Sequence, residues 1–299
     1  MVEWRNGGKG LTNWSGSCMI FVCLYEVNNT KNPSKKGMET DMSERKQAPE
    51  TPWYLRPFGP LVSLALLCVV WGVYGKARLS GRRTRAQRAW QVVSQGCVYD
   101  LGRDLTRHNC FRYCNRGSLS SAYFAQATAA LSDGYIYLAL THSNSPAGEV
   151  IGLFTGRAYN HISLAFDRAL KTLVSYNGGE GGEAPGLNPE TLKGLAERKG
   201  ASVRVYRLAA TRHQKQIMLK RLRKINQEGS AYNLLGLLFP MSCQPNIMFC
   251  SQFVYAMLRL AGLHYFRKNP LQVRPTDFVE WDRRGRLAFV AEFTFDGVC

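Results

Sequence analysis

Acid is scarce in this chain. Over 299 residues, 21 Asp and Glu stand against 39 Lys and Arg, a formal charge of +18. Such a surface seeks phosphates, anionic lipid or acidic polymers, but the imbalance does not set a fold. A disulfide framework is also lacking: the nine cysteines are scattered, and an odd count argues against purely structural pairing. His108, Cys110 and Cys114 resemble half a zinc site with no second half elsewhere, so no metal is expected. Only one long uncharged run is present, which excludes a multi-span membrane protein. Apolar residues at 45% and charged residues at 20% are ordinary globular usage, which excludes a wholly disordered or collagen-like chain.

The first 57 residues are polar and turn-rich. From 28 to 52 the apolar content is too low to offset ordering entropy, and a disordered tail is expected. Translation from Met42 is an alternative that would remove most of it. The uncharged run from Phe58 to Gly75 is 18 residues long. At about 1.5 Å per residue it reaches about 27 Å, enough for one membrane span. Trp53, Tyr54, Trp71 and Tyr74 sit near its ends, where amphipathic rings settle at an interface. A buried core helix or a signal-peptide segment are the other readings, though no small-x-small cleavage site follows. Lys76, Arg78, Arg82, Arg83, Arg85 and Arg88 flank its far end and suit anionic lipid headgroups. Against Arg45, Lys46 and Arg56 on the near side, they predict a single-pass protein with its long C-terminal part in the cytoplasm; the cell-envelope side is the alternative.

Residues 76–132 read as a basic linker and helical lead-in, and a folded domain begins near 133. Strands are predicted at 135–140, 161–166, 171–176 and 202–208, the second and third joined as a hairpin around Asp167 and Arg168. Ser145-Pro146 predicts a short helix towards Phe154. Gly178 to Gly182 open a loop. Thr211 caps a predicted helix to about Gln227, with Met218, Leu222 and Ile225 on one face. Its other face is cationic, either solvated or phosphate-binding. No aromatics interleave with those cations, so nucleic acid is not expected as a partner.

Two segments carry chemistry. Phe249, Phe253, Met257 and Leu260 recur at helical spacing, and Gly262 is a natural stop. Cys250 therefore falls in the first turn of an amphipathic helix, where the helix terminus favours a thiolate and free backbone N–H groups can hold an oxyanion. A small buried cysteine is the competing reading. His161 opens a strand, from which an imidazole can face the start of a helix packed on the sheet. A nucleophilic cysteine needs such a base, and the base needs an orienting group.

Tyr159-Asn160-His161-Ile162-Ser163-Leu164-Ala165, followed about ninety residues later by Phe249-Cys250-Ser251-Gln252-Phe253-Val254, resembles the circularly permuted NlpC-type papain-like cysteine hydrolases of the YiiX-like branch. Thr155-Gly156, Tyr232-Asn233-Leu234-Leu235-Gly236 and Arg274-Pro275-Thr276-Asp277-Phe278 add to the likeness, which covers roughly 133–295. In two places the pattern departs: Gln252 stands where relatives often have an acid, and Asn160 where serine is frequent.

The resemblance implies an α+β, permuted papain-like domain over 133–299, a small antiparallel sheet packed against the nucleophile-bearing helix. It implies a membrane-anchored thiol hydrolase, amidase- or peptidase-like, or an acyltransferase. Peptides, lipid-linked groups or other acyl compounds would be substrates. Cys250 would attack an amide, thioester or ester carbonyl, and His161 would act as general base and then acid. Ser175 or Asn177, on the strand after the histidine strand, would orient the imidazole. No cofactor is required. The alternative is a non-catalytic, membrane-tethered binding module on the same fold.

Overall fold

The computed structural model describes residues 58–79, 83–94, 108, 112–142, 159–179, 183–196, 201–234, 236, 242 and 244–295. The expected disordered tail, the Met42 start and the helix expected after Ser145 lie outside the described residues. Chain contacts group residues from Lys46 onward into one compact unit.

That unit is α+β. Helix α1 (Phe58–Leu79) is followed by α2 (Arg83–Ser94), and α3 (Ser121–Ala129) leads into the sheet. Strands β1 (Tyr135–His142), β2 (His161–Ala165), β3 (Val174–Asn177) and β4 (Gly186–Pro189) come next. A short α4 (Leu192–Ala196) precedes β5 (Ala201–Ala209) and the long α5 (Arg212–Glu228). The remainder is β6 (Ala231–Tyr232), β7 (Ile247–Met248), α6 (Cys250–Leu260), α7 (Asp277–Glu280) and β8 (Leu287–Phe295). Six strands form one sheet in the order β4-β3-β2-β1-β5-β8, with every neighbouring pair antiparallel. β6 and β7 form a separate parallel pair.

Alternation along the strands divides the sheet into two faces. Ile136, Leu138, Leu140, Ile162, Leu164, Val174 and Tyr176 share the main core with Met218, Leu222 and Ile225 of α5 and Phe253, Val254 and Met257 of α6. Tyr137, Ala139, Ala165, Leu173, Val203 and Val205 form a smaller cluster of their own. The β2–β3 hairpin turns where expected. Asp167 accepts from the Lys171 and Thr172 amides and the Thr172 hydroxyl, which lets Leu170 adopt φ 57°. Thr211 and Gln214 close a reciprocal capping box on α5.

Two elements differ from expectation. The stretch after Gly178 is not all loop, since β4 adds a strand beside β3 and α4 follows it. The apolar run at 58–75 is helical but is not described as a span: among the described residues no helix is long and apolar enough to cross a membrane. The physical reason lies in its packing. Val70 is fully buried, joins the main core with Ala89 and Val92 of α2, and Leu67, Val73 and Tyr74 lean on the same cluster.

The cationic face of α5 is partly engaged by the protein itself. Arg221 donates to Asn246 Oδ1 at 2.6 Å, and the Arg223 guanidinium lies 4.5 Å over the Phe124 ring. Lys215, from the same helix, is wholly buried. Its ammonium donates to the carbonyls of Ala130, Asp133, Tyr135 and Phe166 at 2.7–2.8 Å.

Candidate active site

Cys250 is the first residue of α6, placed there by a change of backbone. Phe249 is extended (φ −102°, ψ 168°) and continues from β7, and helical geometry starts at the next residue. Inward burial of Phe249, Phe253, Val254 and Met257 fixes how the helix lies on the sheet. Phe249 has no side-chain acceptor to offer the first-turn amides. The Cys250 N–H is therefore not consumed by a side-chain cap, as an oxyanion donor requires. Gly262 ends the element in the left-handed region (φ 68°), with the Leu263 amide bonding back to the Leu258 carbonyl. The thiol itself is buried, with 2% of the residue exposed.

His161 opens β2 as expected and stands level with Thr141 of β1. Its imidazole lies between two groups. Nε2 is 2.9 Å from Glu190 Oε1 and 3.1 Å from Oε2, and on the other side the Cys250 side chain is near enough to act on the ring electrostatically. With Nε2 committed to the carboxylate, Nδ1 is the nitrogen left for sulfur.

Glu190, one residue past β4, is thus the carboxylate that holds the imidazole, and sequence reasoning missed it. Its carboxylate is saturated with donors. Ser163 Oγ donates to Oε2, and Asn177 Nδ2 donates to Oε1 at 3.0 Å. Of the two residues expected to orient the imidazole, neither touches it. Asn177 acts one step back, through Glu190. Ser175 points elsewhere, its hydroxyl donating to the Ile162 carbonyl at 2.7 Å. The register explains the difference. Leu164 stands opposite Val174, so continuing the antiparallel pairing puts Asn177 level with His161 and Ser175 level with Ser163.

The electrostatics follow from the contacts. Burial disfavours an imidazolium, but the Glu190 carboxylate with its hydrogen bonds and the Cys250 sulfur outweigh it, so His161 titrates well above the ordinary histidine value. Burial likewise disfavours the carboxylate. Attraction to His161, with the bonds from His161, Ser163 and Asn177, prevails there and holds Glu190 below the usual carboxylate range. The pair is tuned to stay charged. Tyr232 lies close by, its hydroxyl pushed up by burial and by the negative charge of Cys250 and Glu190. The His108 ring sits 5.5 Å from the Tyr232 ring, and a side-chain carbon at Gly178 would come within 3.3 Å of that imidazole.

Behind Cys250, Ser251 Oγ donates to the Val273 carbonyl at 2.7 Å and ties the helix start to the 273–277 loop. Asp277 organises that loop by accepting from the Arg274 amide at 2.7 Å and Lys268 Nζ at 2.6 Å. Among the described residues no group of three or more His, Cys, Asp or Glu could hold a metal ion. Cys114 donates instead to the Pro185 carbonyl.

The arrangement brings together a thiol at a helix start, an imidazole beside it and a carboxylate behind the imidazole. That order of groups is the one thiol-nucleophile chemistry requires: a sulfur, a base within reach of it and a group that orients the base. No family model, curated protein or solved structure matches the chain.

Proposed function

We propose that this protein is a thiol hydrolase or acyltransferase of the permuted papain-like kind. It would cleave amide, thioester or ester bonds with Cys250 as nucleophile, His161 as proton shuttle and Glu190 as orienter. The observation that supports this most is the imidazole's position between the Cys250 thiol and the Glu190 carboxylate. A thiolate–imidazolium pair attacks the carbonyl carbon, and the oxyanion is met by the Cys250 N–H. Collapse breaks the bond to the leaving group, which takes the proton from His161. Neutral His161 then draws a proton from water or from an acceptor alcohol or amine. The resulting nucleophile releases the acyl group and restores the thiolate. The carboxylate that holds the imidazole favours this reading over a non-catalytic module on the same fold.

The test is acyl transfer from p-nitrophenyl acetate. The reading expects a p-nitrophenol burst and a hydroxylamine-labile acetyl group on Cys250, seen by peptide mass spectrometry. Folded protein that gives no burst, or is acetylated equally well in the His161→Ala variant, would count against it.

An anionic membrane surface is the partner this reading favours. Its support is the outer side of the α1–α2 hairpin, where Leu64, Val69, Trp71, Leu79 and Trp90 are exposed. Trp71 packs against Tyr74 and Trp90, with ring centroids 5.3 and 6.0 Å away, and Lys76 and Arg78 occupy the last turn of α1. Aromatic rings next to cations suit the headgroup layer. Co-sedimentation with phosphatidylserine vesicles should fall steeply with salt and fall again in a Trp71→Ser, Trp90→Ser double variant. Binding insensitive to both would argue against the membrane.

A further inference from the structure

Behind Glu190 runs a line of three asparagine side chains. Asn115 Nδ2 donates to Asn188 Oδ1 at 2.7 Å, Asn188 Nδ2 donates to Asn177 Oδ1 at 2.8 Å, and Asn177 Nδ2 donates to Glu190 Oε1 at 3.0 Å. All three amides point the same way, towards the carboxylate. Their orientation is set by chemistry, because each nitrogen also meets, or ends on, a group that can only accept. Asn115 Nδ2 reaches the carbonyls of Ala184 at 2.9 Å and Leu187 at 3.1 Å. Asn188 Nδ2 reaches the Ala184 carbonyl at 3.0 Å. Asn177 Nδ2 ends on the carboxylate itself, while its Oδ1 accepts a second bond from the Gly179 amide at 3.0 Å. Reversing any one amide would set its oxygen against another acceptor, and reversing Asn188 or Asn177 would also set N–H against N–H at the other end.

Asn115 and Asn188 are almost completely buried, and the backbone around them is built to close fit. Asn115 and Ser230 exchange backbone hydrogen bonds at 2.9 and 2.7 Å, and the Ser230 hydroxyl accepts from the Leu187 amide at 3.0 Å. At Gly186 (φ 147°) a side-chain carbon would fall 2.6 Å from Ser230 Oγ and 3.0 Å from Asn115 Cβ, so only glycine lets β4 approach this far. The segment before α3, the end of α5 and β4 thus meet at the tail of a line whose head is His161.

We propose that Asn188 and Asn115 are positioning residues of the reaction centre, acting through Asn177 and Glu190 on His161, which they do not touch. The inference rests on the catalytic reading above. Donation from Asn177 stabilises the carboxylate, and the carboxylate stabilises the imidazolium. Removing a donor far back in the line lets the Asn177 amide rotate, weakens its bond to Glu190 and makes His161 easier to deprotonate. Besides Glu190, the titratable and charged groups facing this centre are Cys250 from α6, Tyr232 from β6 and, through Cys250, Arg274 of the 273–277 loop. None of them belongs to the line, so substitutions in the line leave those influences in place.

The experiment follows the His161 ring proton by NMR through a pH titration of the full chain, assigned with His161→Gln. Asn188→Leu, close in size to the native residue, should lower the His161 midpoint by about half a pH unit or more. Asn115→Ala should shift it in the same direction by less. In a Glu190→Gln background neither substitution should move it further, because the line would then lack its only route to the ring. A midpoint unchanged in both single variants overturns the proposal, as does a shift that persists undiminished in the Glu190→Gln background, which would mark a general packing effect. If the single variants misfold, Asn177→Ala within the same cycle reads the last link. The titration needs no substrate, so a missing acetyl adduct on Cys250 would sink the catalytic reading while this measurement still judged the line.

Discussion

Lys215 and His161 are both largely removed from water, and their surroundings differ in kind. Lys215 is met by four backbone carbonyls. Peptide oxygens neither take up nor release a proton at ordinary pH, so the ammonium can only hold. It pins α5 to the turn before β1 and to the end of β2. His161 is met by a carboxylate and a thiol, which both exchange protons and sit on separate elements. A buried charge among peptide groups is a fastener. One among titratable side chains can do chemistry.

The comparison can be broken at either pole. The largest effect expected at the histidine is chemical: His161→Ala should slow acetylation of Cys250 by about 10²–10⁴-fold per folded molecule, beyond the stability lost when the Glu190 carboxylate is left without its cation. A loss of folding with reactivity per folded molecule preserved would make His161 the fastener. Lys215→Met should do the opposite. It takes a buried donor from four carbonyls and should cost about 3–5 kcal/mol in urea unfolding, while any folded fraction still acetylates Cys250. A stable Lys215→Met protein would show that those carbonyls find other donors.

Glu190→Gln sharpens the contrast through pH. A raised His161 contributes stability in full below the ordinary histidine value of about 6.5, and that contribution is lost as pH rises through its higher folded value. A lowered Glu190 contributes in full above the ordinary value of about 4.5, and is lost as pH falls through its lower folded value. The stability gap between native protein and Glu190→Gln should therefore be widest between about pH 4.5 and 6.5 and narrow on both sides. A gap that is flat with pH would mean the two groups do not titrate as a pair. The smallest effect belongs to Ser175→Ala, which removes one bond to a backbone carbonyl. About 1 kcal/mol of stability should go, and the acetylation rate should hold. A rate loss as large as that of Glu190→Gln would restore Ser175 to the orienting role.

Cys250 and His161 were legible because local pattern carries them. The spacing of Phe249, Phe253 and Met257 marks a helix whose first turn holds the cysteine, and alternation after His161 marks a strand whose start holds the histidine. Glu190 had no such signal. It follows a glycine-rich stretch whose composition reads as loop, and it reaches His161 only because β4 pairs with β3 and β3 with β2. Alternation gave Ser175 and Asn177 the same parity but could not say which stands level with His161, because register is a property of the paired strands. The surroundings of 58–75 were hidden for a related reason. Hydropathy measures what a helix could leave behind in lipid, whereas burial of Val70 in one cluster with α2 depends on a neighbour that the run itself does not encode.

The order of the three groups along the chain has a consequence for synthesis. His161 and Glu190 are made first, on or next to strands of one sheet with β3 between them, and β1 to β5 all lie upstream of residue 210. Cys250 follows only after α5 has been made. Through that interval the nascent polypeptide holds the imidazole and the carboxylate without the thiol. The Cys250 sulfur therefore emerges from the ribosome after five of the sheet's six strands and before β8 closes its edge.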